Sequence, residues 1–320
     1  MKRSPVERGV ERSAVVEMGE PALRVVTSAG FPDYALLDSG NGRKLERFGR
    51  VTVERPEPQA LWQPRLPPEA WARADAIFKS ANADDDGEPG RWHRNAPVPE
   101  AWPLEVLGVT MLCRLSGFRH LGLFPEQVPH WQWMLDWQSQ ISAKPVRVLN
   151  LFAYTGAASL LAAHAGADVT HVDASRKAIA WAKENQAASA LEQAPIRWIL
   201  EDARKFVARE VRRGRTYHLV LVDPPKFGRG PEGEVWDVFA HLPALLRDCA
   251  VLLAPDRAAL VLTTYAIRAS ALAMDALVRE SLSDRPGRVE SGELAVIEQS
   301  AGRLLPTSLF TRWSSDEAAR

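Results

Sequence analysis

The segment LVLVDPPKFGRG, Leu219 to Gly230, runs four apolar residues directly into Asp223, Pro224, Pro225, Lys226 and Phe227. A short apolar run stopped by a proline pair predicts a buried strand, with Asp223 at its C-terminal end. Proline keeps its carbonyl but has no N–H, so the Asp223 carboxylate and the Pro224 carbonyl form an acceptor pair without a competing donor. Such a pair suits a group that donates two hydrogen bonds, and Phe227 adds a flat ring face. The plainer alternative is a stiff turn after a core strand.

Two more acids stand at comparable places. VTHVDAS ends on Asp173, where a carboxylate accepts from the two hydroxyls of a ribose, and IRWILEDARKF reaches Asp202. Asp202 either caps the next helix or accepts from an adenine amino group. NLFAYTGAAS, Asn150 to Ser159, is a tight loop with Gly156 at a helix start, where small residues admit a ligand to unpaired N–H groups. The loop holds one glycine, so the G-x-G-x-x-G dinucleotide fingerprint is absent and a pyrophosphate-binding dehydrogenase is disfavoured. Strand ends of a parallel sheet open on one edge, so three acids after three successive strands point to a shared crevice.

The elements that must position these residues alternate from Val146 onward. Strands are expected at Val146–Leu151, Asp168–Val172, Ile196–Leu200, His218–Val222 and Ala259–Thr263. Helices are expected at Ala157–Ala165, Arg176–Ala188, Ala203–Arg212, Val235–Leu253 and Ser270–Ser283. GELAVIEQS and TSLFTRW then follow as two strands without a helix between them, hence an antiparallel hairpin. The fold class is α/β: a doubly wound, mostly parallel seven-stranded sheet that ends in this hairpin with one reversed strand at its end.

Upstream, the pattern is β-rich. Asn41-Gly42 is a hairpin signal between Tyr34–Leu37 and Val51–Val53. PPEAWARADAIFKS has helical spacing, and ANADDDGEPGRW, with Asp84 to Asp86, has the composition of a solvated acidic loop rather than a metal site. Two strands split at Ser116-Gly117 come next, then a helix in VPHWQWMLDWQSQI with Trp131, Met134, Leu135 and Gln138 at i, i+3, i+4 and i+7. The expected division is a flexible lead-in at 1–20, a small β-rich domain at 21–125 and a Rossmann-like domain at 126–320.

Composition narrows the partners. The 320 residues carry 40 basic and 40 acidic side chains, so net charge does not announce a nucleic-acid binder. Two cysteines, Cys113 and Cys249, give neither a disulfide scaffold nor a cysteine-rich metal site and suit a reducing cytoplasm. No metal is expected, nor any membrane segment, since no run of about 18 apolar residues occurs.

The ordered set VLNLFAYTGAAS, VTHVDAS, EDARKF and LVLVDPPKFGRG, with the end hairpin, resembles the class I S-adenosylmethionine-dependent methyltransferases. More narrowly it resembles the 23S rRNA methyltransferase group that contains the cytosine-C5 enzymes with an N-terminal PUA domain. The match is specific over about residues 118 to 313; no stretch of this sequence reads as a PUA module. GLFPEQ is similar to the segment with which that group closes over its cofactor. The resemblance implies S-adenosyl-L-methionine as cofactor, with Phe152, Ala153, Tyr154, Thr155 and Gly156 along its methionine part. It implies Asp173 on the ribose, Asp202 on the adenine amine, Gln127 nearby and Asp223 at the reacting end; Asn150 joins this set or serves only the turn.

Methyl transfer from a sulfonium chiefly needs an acceptor held in line at about 3 to 3.5 Å. Asp223, Pro224, Pro225 and Phe227 are the candidate catalytic residues: acceptors for an exocyclic amine and a ring on which a flipped base stacks. C5 methylation of cytosine needs a thiolate that attacks C6. In the resembled cytosine enzymes that cysteine follows the fifth strand, where this chain has Thr263, Thr264 and Tyr265. Cys113 and Cys249 lie in apolar runs and read as core, so an amine, a ring nitrogen or another nucleophile is expected instead. Arg209, Arg212, Arg213, Arg215, Lys226 and Arg229 are candidates for tracking phosphates, or a solvated face. The expectation is an RNA substrate, rRNA foremost. Against it stand a protein or small-molecule methyltransferase, and a methyltransferase-like RNA-binding module without catalysis.

Overall fold

In a computed structural model of the chain, residues 23–79, 90–265 and 267–315 are described. The N-terminal lead-in and Asp84 to Asp86 lie outside them. β1 (Arg24–Ser28) is followed by a five-stranded sheet of β2 (Tyr34–Gly40), β3 (Arg43–Phe48), β4 (Val51–Pro56), β5 (Ala76–Lys79) and β6 (Arg91–Arg94). One helical turn, α1 (Pro68–Trp71), separates β4 from β5, and β7 (Trp102–Val106) pairs with β8 (Val109–Cys113).

Three local expectations change here. Asn41 and Gly42 have φ of 53° and 72°, as a two-residue hairpin turn requires, but they join β2 to β3, and Val51–Pro56 is the next strand over. The charges of Arg43–Phe48 hid that middle strand; Leu45 and Phe48 are buried, and so is Glu46 against Arg55. The helix expected in PPEAWARADAIFKS stops at Trp71, because Asp75 exchanges hydrogen bonds with Thr52 and draws the chain into strand β5 beside β4. Third, the strand pair splits at Leu107 and Gly108, both at positive φ, rather than at Ser116-Gly117.

A single 3-10 turn, Pro125–Gln127, leads into α2 (Val128–Ser139). Then come β9 (Arg147–Leu151), α3 (Ala157–His164), β10 (Asp168–Asp173), α4 (Arg176–Ala188), β11 (Ile196–Leu200), α5 (Ala203–Arg212) and β12 (Leu219–Val222). β13 (Phe227–Arg229) and β14 (Val235–Asp237) form a small hairpin before α6 (Val238–Leu252). β15 (Ala259–Tyr265), α7 (Ala271–Ser281), β16 (Arg288–Ile297) and β17 (Leu304–Ser314) complete the fold.

The large sheet runs β1-β16-β17-β15-β12-β9-β10-β11, so it has eight strands rather than seven. The extra strand is β1, expected in the small unit; its largely exposed side chains gave no buried-strand pattern. It fits beside β16 because Gly292 faces the Arg24 carbonyl, where a Cβ would collide. β17 alone is reversed, and it sits between β15 and β16 rather than at the edge.

Alternation along the strands sorts the layers. Leu149, Leu151, Val220, Val222, Leu260 and Leu262 pack with α5, α6 and α7. Val148, Leu219, Ala259 and Val261 face α2 and α3, and that core continues into the small β unit through Leu121, Phe48 and Trp102. At about 25 cal/mol per Å² of apolar surface, this continuous burial binds the small unit to the large one.

Candidate active site

Asp173 closes β10, Asp202 lies two residues past β11 and Asp223 follows β12 directly, and all three acids reach one cleft of about 640 Å³ at the C-terminal edge of the sheet. Every catalytic and cofactor-binding residue expected from the sequence lines it: Gln127, Asn150, Phe152, Ala153, Tyr154, Gly156, Asp173, Asp202, Asp223, Pro224, Pro225 and Phe227. Their separation in sequence is large, and the parallel topology alone brings them together.

The loop after β9 is bent tightly. Phe152, Tyr154 and Gly156 have φ of 55°, 50° and 88°, so the chain turns left-handed three times before α3 starts. Its shape is fixed from outside: Thr155 Oγ1 donates to the Gly122 carbonyl at 2.5 Å, and Asn185 Nδ2 donates to the Thr155 carbonyl at 2.9 Å. Asn185 Oδ1 also accepts from the Leu112 N–H, tying the loop to β8. The Asp173 carboxylate accepts from the Tyr154 N–H at 2.8 Å and the Ser175 N–H at 2.7 Å. Burial pushes its pKa up, against the pull of those two donors.

Asn150 and Asp202 each have a structural partner. Asn150 Nδ2 donates to Ser159 Oγ at 3.0 Å, which in turn meets His171 Nδ1. Asp202 caps α5, its Oδ1 accepting from the Arg204 and Lys205 N–H groups at 3.0 and 3.1 Å. The cap alternative for Asp202 is therefore realised, while among the described residues Oδ2 accepts only from Arg204, at 3.4 Å.

Asp223 is half-buried in the cleft. Gln127 Nε2 donates to its Oδ2 at 3.1 Å, and burial together with neighbouring Glu126 pushes its pKa up to about 7. Burial likewise raises Glu126, which is 8% exposed. Pro225 turns its carbonyl to Trp236 Nε1 at 2.7 Å, and the Trp236 ring packs 4.8 Å from Phe152. The β13–β14 hairpin is thereby pinned over the cleft. The sequence pattern places Val235–Asp237 in the following helix, but Asp237 caps α6 through the Phe239 and Ala240 N–H groups, so Val235, Trp236 and Asp237 itself pair with Arg229, Gly228 and Phe227. This leaves Phe227 60% exposed at the cleft mouth, with Lys226 Nζ 5.2 Å from its ring centre.

Sequence reasoning missed Glu126, Trp236, His120 and Tyr265, all of which line the cleft. Tyr265 accepts from Arg119 at 2.5 Å, and burial beside Arg119 lowers the His120 pKa. The position of Glu126 next to Gln127 was the available signal. Of the basic candidates, Lys226 and Arg229 reach the cleft; Arg209, Arg212, Arg213 and Arg215 do not, and Arg209 and Arg213 pair with Glu201 and Glu210. Cys113 and Cys249 are fully buried away from the cleft, with thiol pKa values raised by burial, to about 12 for Cys113. Among the described residues there is no cluster of metal-binding side chains and no helix long and apolar enough to cross a membrane.

Comparison with known proteins gives this arrangement its family. A ribosomal RNA large subunit methyltransferase K/L of Shewanella frigidimarina is 35% identical over 154 residues, 48% of this chain and 21% of that protein. The namesake of Hahella chejuensis is also 35% identical over 154 residues, 48% of this chain and 20% of its own length. The chain thus spans about a fifth of the length of these curated relatives. A crystal structure of a SAM-dependent methyltransferase from Agrobacterium tumefaciens is 53% identical and superposes with a TM-score of 0.87 over 92% of this chain and 94% of that one. A Streptococcus mutans chain assigned as a SAM-dependent methyltransferase shares the fold, with a TM-score of 0.67 at 17% identity over 88% of this chain and 75% of its own. The model of the S-adenosylmethionine-dependent methyltransferase family matches residues 82–291, about two thirds of the sequence. With that match over the strand-end cleft, the chain belongs to the S-adenosylmethionine-dependent methyltransferase family, and S-adenosylmethionine is its cofactor.

Proposed function

We propose that this enzyme transfers the methyl group to a base of RNA, with rRNA as the favoured substrate. The cleft's own groups suit the cofactor. Asp173 is a half-buried carboxylate held by two backbone donors, which leaves acceptor capacity for ribose hydroxyls, and the left-handed Phe152–Gly156 loop lines the cavity. In this reading Phe152 to Gly156 follow the methionine part, Asp202 meets the adenine amine through its remaining oxygen, and Gln127 steadies Asp223. Asn150 acts through Ser159 on the loop's shape.

The bound cofactor supplies an electrophilic methyl on a sulfonium; the protein supplies alignment. Asp223 and the Pro224 carbonyl accept from an exocyclic amine, which orients its lone pair. The Pro225–Trp236 bond holds that strand end still. Phe227 carries the base by stacking, and Lys226 and Arg229 meet nearby phosphates. The single observation behind this reading is a 60% exposed Phe227 ring held at the mouth of the cleft that half-buried Asp223 lines. With both cysteines buried outside the cleft, the acceptor is an amine, a ring nitrogen or another nucleophile rather than cytosine C5. Residues 126–320 carry the chemistry, and the small β unit, β2 to β8, guides RNA to it.

The test is transfer of a labelled methyl group from the cofactor to rRNA purified from a deletion strain, with cell protein and small-molecule extracts offered in parallel. Label in rRNA that is absent with an Asp223→Ala variant is the expected result. Label confined to protein or small molecules overturns the RNA assignment.

A further inference from the structure

Two carboxyl groups, those of Asp223 and Glu126, face the same cleft, and among the described residues no cation forms an ion pair with either, although Lys226 and Arg229 also line the cleft. Among the described residues, Asp223 accepts from the Gln127 amide alone, and no other residue's group donates to the Glu126 side chain, which is 8% exposed and lines the cavity. Leaving a buried carboxylate uncompensated is costly, so such a group either keeps its proton or awaits a positive ligand.

The two cations that act on Glu126 are each paired elsewhere. Lys44 on β3 pairs with Glu57 at 3.0 Å, and Arg55 on β4 makes a two-pronged pair with Glu46 at 2.7 and 2.8 Å. Tyr34 on β2 donates to the same Glu46 at 3.0 Å. Lys44 and Arg55 attract Glu126 at longer range and Glu46 repels it. From α2, His130 lines the cavity and burial holds it neutral, with a pKa of about 3. His120 is held neutral as well, by burial and by Arg119. The acid pair therefore faces the cleft with its charge only partly offset, through a network carried by the small β unit.

The cofactor and its product differ in charge at one atom: the sulfonium is a permanent cation, and the thioether left after methyl transfer is neutral. We propose that Glu126, together with Asp223, supplies the negative charge that matches the sulfonium, so that the site holds S-adenosylmethionine in preference to S-adenosylhomocysteine and releases the product. Glu126 is in this role a specificity-determining residue, and the β3–β4 ion pairs position it electrostatically. The inference rests on the cleft being the cofactor site and is independent of which substrate accepts the methyl group.

The experiment is calorimetric titration of the full chain with each ligand between pH 6 and 8.5, for wild type, Glu126→Gln and Asp173→Ala. The ionised pair favours the cation, so S-adenosylmethionine affinity should fall by up to about tenfold per pH unit below pH 7 while S-adenosylhomocysteine affinity stays nearly flat. In Glu126→Gln the ratio of the two affinities should drop at least fivefold, roughly, with product binding kept within about twofold. An unchanged ratio in Glu126→Gln overturns the proposal. Should that variant bind neither ligand, the wild-type slopes decide: parallel pH dependence for both ligands refutes the role. Loss of both ligands in Asp173→Ala with an unchanged Glu126→Gln ratio leaves the cofactor site standing and sinks only this inference; retention of both ligands in Asp173→Ala sinks the two together.

Discussion

Replacing Asp173 by alanine should all but abolish cofactor binding, and the structure sets the scale. The carboxylate sits at the end of β10, its oxygens aligned by the Tyr154 and Ser175 N–H groups at 2.8 and 2.7 Å. In the proposed role it accepts from two ribose hydroxyls, each a hydrogen bond to a charged group worth about 1.5 to 3 kcal/mol. Together that is about 3 to 6 kcal/mol, or roughly 10² to 10⁴ in affinity. The truncation also leaves two backbone donors without an acceptor, which loosens the loop that follows β9. Calorimetry with S-adenosylmethionine measures the loss, and near-ultraviolet circular dichroism verifies that the variant is folded. Binding within threefold of wild type in a folded Asp173→Ala protein would refute the ribose assignment.

Phe227→Ala removes an exposed ring and no core contact, so cofactor affinity should stay within about twofold. The lost stacking, about 1 to 3 kcal/mol, should lower kcat/KM for the RNA substrate roughly 5- to 150-fold; an unaffected kcat/KM argues against stacking. For Asp223 the sign is set by a folded-state pKa of about 7 against an ordinary value of 3.8. Folding favours the neutral acid, so stability is greatest at low pH and falls as pH rises from about 4 to 7, by at most about 4 kcal/mol. Asp223→Asn escapes this cost: its melting temperature relative to wild type should climb across that window and level off above it, whereas a constant offset would contradict the burial argument. Asp202→Ala should cost about 1 kcal/mol through the lost α5 cap, seen in denaturant melts, with no loss counting against the cap.

The catalytic half was legible because its signals are local. Apolar runs such as Leu219–Val222 mark doubly covered strands, and the acids after them mark strand ends, so the shared cleft followed from topology. The small unit was less legible because its strands carry charge inward: Glu46 and Arg55 look like surface residues and are buried as a pair, with Lys44 half-buried against Glu57. Partners distant in sequence hid the rest. β1 becomes a strand only against Gly292, Glu126 matters only beside Asp223, and Trp236 matters only by reaching Pro225 and Phe152. The β13–β14 hairpin was obscured by α6, whose apolar periodicity extends outward past its Asp237 cap.

The most direct measurement is mass spectrometry of rRNA nucleosides from a strain lacking this protein, complemented with wild type or with Asp223→Ala. The account predicts that one base-methylated nucleoside disappears on deletion, returns with wild type and stays absent with Asp223→Ala. An unchanged nucleoside profile, or restoration by Asp223→Ala, would contradict it, and loss of 5-methylcytidine would contradict the argument that no thiolate serves this cleft.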